Sequence, residues 1–169
     1  MSHELKPSVC IDAVFEGRTF EEACKIVKES NITAIEFWGW WDKDLDALVK
    51  AQLENGLKTS ACCTKFISLV DANLRASYLE GLKASIAAAK KLKTDVLISQ
   101  VGDFLTDVPR EEQFKSLVDG LKAAAPFLEE AGIMLVIEPL NELIDHKGYF
   151  LVKSDEAFQV IEEVGSPNI

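Results

Sequence analysis

The residue best suited to chemistry is Glu138, which closes a short apolar run in "LVIEPLNE" (135–142). A carboxylate that ends a dry strand loses much of its hydration, which is costly unless a cation or hydrogen-bond donors replace the water. A divalent metal ion supplies that replacement, and a desolvated carboxylate also suits a general base. Pro139 removes a backbone donor and turns the chain away, which exposes Glu138 at the end of the strand. The alternative is a structural ion pair with Lys65 or Lys147.

Four further residues are candidate substrate ligands because they follow apolar runs or lie just beyond Glu138. Trp38 belongs to "EFWGWW" (36–41), whose tryptophans would form a wall for the C–H faces of a sugar, a hydrophobic plug or a subunit contact. Gln100 ends "LISQ" and would bind a substrate hydroxyl or a carboxylate, or be a satisfied core amide. Asn141 and His146 are expected at the same rim, although a lone loop histidine is more often simply solvated.

Glu36 is the second carboxylate of interest. It alternates with Ala34 in "AIEFW", so both side chains are expected on the same face of a strand. Glu36 would then point into the lumen of a barrel or form a structural pair with a lysine, and of these we favour the structural role.

These candidates depend on five β-rich apolar runs that alternate with amphipathic segments. Each strand followed by a helix implies right-handed crossovers and a parallel sheet. Ligands of such sheets bind beyond the carboxyl ends of the strands, where the candidate residues lie. The five predicted strands are 8–15, 33–38, 58–63, 95–102 and 133–139.

The helical segments carry recognisable start and stop signals. Thr19 and Glu22 form a predicted capping box, and Ser154 is a predicted cap of the last helix. Pro126 lies inside a helical pattern, which predicts a kink or a break there. Predicted helix ends are Gly56, Gly132 and Gly165.

Two α/β architectures suit this alternation: a doubly wound sheet of flavodoxin type and a (β/α)8 TIM barrel that has been cut short. The final residues, "SPNI" (166–169), look like the lead-in to a sixth strand. This ending favours the barrel, with residues 1–169 forming a single domain that supplies about the first five βα units. The C-terminal strands are then missing, and we expect strand order 1-2-3-4-5 with all helices on the convex side.

Composition narrows the class of protein. The 169 residues carry a formal net charge of -10, and such a surface repels phosphate backbones, so we expect no nucleic-acid partner. No apolar run approaches a membrane span and the N-terminus has no signal core, so we expect a cytoplasmic protein without a membrane partner. The four cysteines lack zinc-site spacing and are expected to be reduced thiols, mostly in the core.

The chain also resembles a known family. "IEPLN", "GYFL" (148–151) and "EEVGSPN" (162–168) are similar to the segment after the fifth strand in sugar phosphate isomerases/epimerases of the xylose-isomerase-like TIM-barrel superfamily. The hydroxypyruvate isomerase branch is the most similar, and "SLVD" (68–71) and "LISQVG" also fit this group. The resemblance runs from residue 8 to residue 169 and covers the first five of eight βα units.

The resemblance implies that Glu138 binds a divalent cation (Mg, Mn, Co or Zn) and takes part in proton transfer. Further ligands would come from strands six to eight, so the 169 residues alone are expected to be inactive and to hold the ion weakly or not at all. The implied reaction isomerises or epimerises a small sugar, sugar phosphate or hydroxypyruvate-like substrate through an enediolate. The alternative is a non-catalytic parallel α/β binding module or an inactive fragment.

Two further expectations concern substrate and assembly. Related epimerases often have a second glutamate where this chain has Ile144, which disfavours a ketose 3-epimerase. Acidic charge and only two histidines disfavour the endonuclease branch of the superfamily. The unpaired edges of the first and fifth strands predict a homo-oligomer or aggregation.

Overall fold

A five-stranded parallel sheet forms the centre of the computed structural model, which describes residues 5–169. The strands follow one another in the order β1-β2-β3-β4-β5, and each neighbouring pair is parallel. This sequential order confirms the barrel-type topology and excludes the 2-1-3-4-5 order of a flavodoxin-like sheet. The strands are β1 (Ser8–Cys10), β2 (Ala34–Phe37), β3 (Lys58–Cys63), β4 (Val96–Ser99) and β5 (Met134–Ile137).

Helices connect the strands and pack against one another in chain order, from α2 to α6. The connection after β3 begins with a short 3-10 turn, Ala72–Leu74, before the long fourth helix. The helices are α1 (Ile11–Val14), α2 (Phe20–Glu29), α3 (Leu45–Asn55), α4 (Arg75–Leu92), α5 (Arg110–Ala131) and α6 (Ser154–Val164). Within residues 5–169, no helix combines the length and apolarity that a bilayer crossing requires.

The two faces of the sheet differ in burial, which places the core on the helical side. Ile35, Leu97 and Leu135 are completely buried beneath the helices. Met134 and Val136, which alternate with the buried residues of β5, expose 39% and 40% of their surface. The sheet therefore has a helix-covered outer face and an open inner face, as in one part of a barrel wall.

Several local signals act as the sequence predicts. The Thr19 hydroxyl accepts a hydrogen bond from the Glu22 N–H at 3.2 Å, and the Glu22 carboxylate accepts one from the Thr19 N–H at 3.0 Å. The predicted capping box is therefore present at the start of α2. Left-handed glycines end three helices, as predicted, at Gly56, Gly132 and Gly165.

Other boundaries differ from the predictions. The first strand was expected over 8–15 but stops at Cys10, because the next four residues, Ile11–Val14, form a helix. The fourth strand was predicted to reach residue 102 but ends at Ser99. Ser154 is the first helical residue and makes no cap hydrogen bond, since Lys153 occupies the cap position.

Of the kink or break predicted at Pro126, the break does not occur. Helix α5 continues through Pro126 to Ala131. Buried Ala124 and Leu128 flank the proline and pack into the core. This packing outweighs the loss of one backbone hydrogen bond and the local crowding that proline causes.

The end of the chain lies along the free edge of β5. The Asn168 carbonyl accepts a hydrogen bond from the Leu135 N–H at 2.8 Å, and its side-chain amide donates to the Ile133 carbonyl at 2.9 Å. Residues 166–169 form no strand of their own. They occupy the place beside β5 that the sequence assigned to the lead-in of a sixth strand.

Candidate active site

Glu138 directly follows β5 and remains attached to the sheet. Its N–H donates to the Ser99 carbonyl at 3.2 Å, so the backbone of β4 still fixes its position. The alternation of β5 buries Ile137 on the helical side and places Glu138 on the inner face with Val136. This position at the carboxyl end of a parallel strand is where ligands of such folds bind.

The surroundings of Glu138 favour a protonated or ligand-bound carboxylate. Burial raises the pKa of Glu138 above its ordinary value, the nearby His146 opposes that rise, and the negative charge of Glu36 adds to it. No lysine or arginine within residues 5–169 forms an ion pair with Glu138. The alternative pairing with Lys65 or Lys147 is therefore not formed.

Glu36 lies on the same inner face, on β2, which is next to the edge strand β1. Its backbone pairs with Cys10 on one side and Ala61 on the other. The favoured structural pairing with a lysine is not formed within the described part of the chain. The negative charge of Glu36 instead contributes to the raised pKa of Glu138.

The four cysteines are free, as expected, and Cys63 lies near Glu138 and Glu36 on the inner face. Burial is the main cause that raises the pKa of Cys63 to about 12, and the charges of Glu138 and Glu36 and the neighbouring thiols contribute to that rise. Cys62 points to the helical side, where burial alone raises its pKa to about 12. These thiols stay protonated near neutral pH, so they act as small apolar groups rather than nucleophiles.

The fit of a divalent cation is partial. A desolvated carboxylate without a counter-ion suits a hard cation. The described residues nevertheless contain no cluster of three or more His, Cys, Asp or Glu side chains close enough to hold a metal ion. Glu138 is thus one well-placed ligand, with Glu36 as its nearest acidic companion on the inner face.

Gln100 and His146 come together at a cavity of about 270 Å³ next to Glu138. The loops after β3, β4 and β5 form its walls. We call it the rim cavity, and its lining residues are Phe66, Ile67, Ser68, Gln100, Gly102, Asp103, His146 and Tyr149. Both residues had been predicted as substrate ligands, and this cavity gives them a common ligand-sized space.

The three tryptophans of "EFWGWW" have different environments. Trp38 keeps half of its surface exposed, and its backbone N–H donates to the Asp12 carboxylate at 2.7 Å. The indole N–H of Trp40 donates to the Ser85 hydroxyl of α4 at 3.3 Å, which makes Trp40 a plug over the helical layer. Trp41 packs edge-on against Phe66, with ring centres 5.0 Å apart. Trp38 and Trp41 are thus the ones left for an apolar wall.

The side chain of Asn141 stabilises the conformation of its own loop. Its side-chain oxygen accepts from the Ile144 N–H at 3.0 Å, and its amide donates to Asp145 at 3.4 Å. The side chain is exposed and does not line the rim cavity. Its role as a substrate ligand stays a prediction.

Two residues that support the site were missed by sequence reasoning. Tyr149 is 5% exposed, and its hydroxyl accepts from the Val101 N–H at 2.7 Å and donates to the Glu138 carbonyl at 3.1 Å. Asp12 accepts hydrogen bonds from the Trp38 N–H and from the Lys43 ammonium at 3.3 Å. The signal for Tyr149 was an aromatic residue inside an otherwise polar loop, whereas Asp12 was concealed in a run read as strand.

Comparison with known proteins identifies the family. A family model described as a xylose isomerase-like TIM barrel matches residues 24–169. The chain belongs to this family. Membership confirms the fold that the sequence predicted, and the five parallel strands are part of a barrel of the xylose isomerase-like type.

The relatives of this xylose isomerase-like chain include isomerases and epimerases. Hydroxypyruvate isomerase of Escherichia coli (strain K12) is 30% identical over 92 residues, which are 54% of this chain and 35% of that protein. A family 2 AP endonuclease structure from Brucella melitensis has a TM-score of 0.90 at 19% identity, covering 96% of this chain and 66% of that one. A D-psicose 3-epimerase structure has a TM-score of 0.76 at 20% identity, covering 95% and 61%. The chain spans less than two thirds of each.

Replacing Tyr149 by Phe is expected to destabilise this xylose isomerase-like chain by about 1–3 kcal/mol, because the Val101 N–H would be left buried without a partner. Urea unfolding followed by circular dichroism measures the change. Tyr78→Phe is the matched control, since it removes a buried hydroxyl that bonds a serine hydroxyl and leaves no backbone group unpaired. A smaller loss for Tyr149→Phe than for Tyr78→Phe would contradict the bridging role.

Glu138→Gln is expected to raise the melting temperature at neutral pH by no more than a few degrees. A carboxyl group whose pKa is raised by folding favours the folded state while protonated, so its contribution falls as the pH rises through that raised pKa. The side-chain amide of the glutamine variant does not ionise, so the variant avoids this loss of stability. Melting curves at neutral pH and below pH 4 test it: the gain must disappear in acid, and a gain that is equal at both pH values would contradict it.

Proposed function

We propose that this chain belongs to a metal-dependent isomerase or epimerase acting on a small sugar, sugar phosphate or hydroxypyruvate-like substrate. The observation that carries the proposal is Glu138, an unpaired carboxylate with a raised pKa at the carboxyl rim of the sheet. The name of the Escherichia coli relative supports an isomerase. The name of the D-psicose relative supports carbohydrate substrates, although at 20% identity that likeness concerns the fold.

Glu138 would remove a proton from the carbon next to the substrate carbonyl and return it to the neighbouring carbon. A raised pKa suits this task, because it makes the carboxylate a stronger base than an ordinary glutamate. The partial burial that raises the pKa also removes part of the hydration of the carboxylate. A bound Mg, Mn, Co or Zn ion, with Glu138 among its ligands, would stabilise the negative charge of the enediolate.

The other residues would position the substrate around that carboxylate. Tyr149 holds the backbone of Glu138 through its hydroxyl, which fixes the backbone position from which the Glu138 side chain extends. Trp38 and Trp41 offer apolar surface at the rim, which suits the C–H face of a sugar. Ile144 is exposed where related epimerases often have a second glutamate, so an isomerase is preferred over a 3-epimerase.

A non-catalytic α/β binding module is the second candidate. It is favoured by one observation, that the described residues contain no cluster of three potential metal ligands. The two candidates predict different behaviour with metal and substrate together. A binding module would retain a carbohydrate without exchanging any of its protons, whereas an isomerase must exchange the proton next to the carbonyl.

The test is solvent exchange in deuterium oxide, followed by proton NMR of the substrate. The protein purified from its source is incubated with hydroxypyruvate, D-fructose or D-fructose 6-phosphate, each with Mg²⁺, Mn²⁺, Co²⁺ or Zn²⁺ or with a chelator. For at least one substrate, we expect a metal-dependent loss of the NMR signal of the proton on the carbon next to the carbonyl. Absence of exchange with every pair, in protein shown to be folded, would overturn the enzymatic proposal in favour of the binding module. The 169 residues alone are expected to show none.

A further inference from the structure

Three buried hydroxyl groups meet on the helical side of the sheet, beneath the carboxyl ends of the strands. Ser99 ends β4, Thr64 directly follows β3, and Tyr78 lies in the first turn of α4. None of the three residues exposes more than 1% of its surface. The Tyr78 hydroxyl lies 3.0 Å from the Ser99 Oγ, and the Thr64 hydroxyl lies 3.3 Å from it. We call these three residues the hydroxyl hub.

One arrangement of protons satisfies the hydroxyl hub. The Ser99 Oγ also lies 3.1 Å from the Gln100 carbonyl oxygen, which can only accept. The single Ser99 proton therefore goes to that carbonyl, and the two lone pairs of Ser99 accept from Tyr78 and Thr64. Burial raises the pKa of Tyr78 to about 12, although its hydrogen bonds with Ser99 and Thr64 oppose the rise. Tyr78 thus keeps the proton that it donates near neutral pH.

Ser99 contacts the backbone of both candidate residues of the site. Its side chain donates to the Gln100 carbonyl, and its own backbone carbonyl accepts from the Glu138 N–H at 3.2 Å. Ser99 pairs with Ile137 in the last register position between β4 and β5, directly before Glu138. The two predicted functional side chains therefore extend from backbone that is bonded to one residue, which Tyr78 in turn ties to α4.

A hydroxyl at this position contributes orientation more than stability. The alternation of β4 buries Leu97 and Ser99 on the same side, where an apolar side chain would need no partner. Hydrogen bonds within a protein add little net stability, because the unfolded chain bonds to water instead. A buried hydroxyl without a partner is costly, however, so a fully bonded network restricts its members to one geometry.

From these contacts we infer that Ser99 is a positioning residue, which with Tyr78 and Thr64 fixes the backbone of Gln100 and of Glu138 relative to each other. Ser99 acts through those two residues, since it has no exposed surface with which to touch a ligand. The importance of this spacing for catalysis rests on the proposed function. A displacement of about 1 Å at a reacting group can cost about 10²-fold in rate.

Native-state hydrogen exchange of the Glu138 N–H, followed by NMR in the 169-residue chain, tests the inference. Ser99→Ala removes the central oxygen of the hydroxyl hub. We expect the Glu138 N–H to exchange about tenfold faster, the effect of one lost hydrogen bond on a local opening. Ser85→Ala is the matched control, because Ser85 is equally buried and accepts from the Trp40 indole, but has no contact with Glu138. It should leave the Glu138 exchange rate unchanged.

A double variant separates positioning from stability. Ser99→Ala leaves the buried Tyr78 hydroxyl without its acceptor, so the melting temperature should fall. Adding Tyr78→Phe removes that hydroxyl and should recover part of the melting temperature. It should not slow exchange of the Glu138 N–H, since the Gln100 carbonyl still lacks its donor. In any active form of the protein, kcat for metal-dependent proton exchange should fall about tenfold in both variants, with a smaller change in KM.

Two results would overturn the inference. An equal rise in Glu138 N–H exchange in Ser99→Ala and Ser85→Ala would show that Ser99 has no specific hold on the site. Recovery of the Glu138 N–H together with the melting temperature in the double variant would show that the hydroxyl hub only stabilises the fold. The hydrogen-exchange measurement needs neither metal nor turnover, so its failure is distinct from failure of the proposed function. A selective rise in a protein that exchanges no substrate proton would keep the positioning of Glu138 and reject the isomerase.

Discussion

Replacing Glu138 by Gln is expected to reduce metal-dependent proton exchange by at least about 10²–10⁴-fold in any active form of this protein, the range for losing a general base alone. The amide cannot take up a proton from carbon. It is also a weaker ligand than a carboxylate for a hard divalent cation, so reduced metal affinity would add to the loss. The measurement is the initial rate of deuterium incorporation next to the substrate carbonyl, over a range of metal concentrations.

The control for this change is Glu142→Gln. Glu142 lies four residues further along the same loop and is exposed, so the variant removes one charge from the neighbourhood without touching the inner face. We expect its exchange rate to stay within about twofold of the parent, as for exposed rim charges. Full exchange activity in Glu138→Gln would refute the role of Glu138. An equal loss in Glu142→Gln would mean that net charge, rather than a positioned base, controls the rate.

The metal dependence of the variant separates the two roles assigned to Glu138. Saturating metal should restore part of the rate if Glu138 acts mainly as a ligand, because mass action offsets weakened binding. It should restore nothing if Glu138 is the base. The raised pKa of Glu138 adds a second signature, since the rate in the parent should rise with pH as this carboxyl group ionises. The variant should lack that rise.

The sheet was predictable from sequence because its signals are local and repetitive. Apolar runs such as "MLVI" are bounded by Gly132 and Pro139, and the alternation with amphipathic helices leaves few topologies. The errors occurred where tertiary packing overrides a local signal. Pro126 is tolerated because Ala124 and Leu128 are buried on either side, and the local proline signal does not reveal how strongly that packing stabilises the helix.

The site was only partly predictable, for a related reason. Glu138 and Gln100 were found because each ends an apolar run, so chain position alone places them at the rim. Asp103 and Ser68 follow no such rule, since they meet only when two loops are joined by the hydrogen bonds of Leu69. Contacts between loops depend on backbone paths that composition does not specify.

Gly102→Ala is expected to lower the free energy of unfolding by about 2–4 kcal/mol, the combined cost of a strained backbone and of overpacking. Gly102 has a φ of +105°, which residues with a side chain rarely adopt. A Cβ atom there would lie 2.3 Å from the Ser68 hydroxyl oxygen, 2.8 Å from its Cβ and 3.1 Å from its Cα. The backbone atom cannot rotate away, so the two loops must separate. A fall of roughly 5–15 °C in melting temperature is expected.

A double-mutant cycle divides this cost between contact and conformation. Gly17→Ala is the control for conformation, because Gly17 has a φ of +78° and no atom within 4 Å of the added Cβ. Ser68→Gly combined with Gly102→Ala removes the two nearest side-chain atoms, so it should recover the overpacking part while the strained φ remains. If Gly102→Ala costs no more than Gly17→Ala, the loops do not approach as closely as described. The rim cavity would then lose the close contact between Ser68 and Gly102 in its lining.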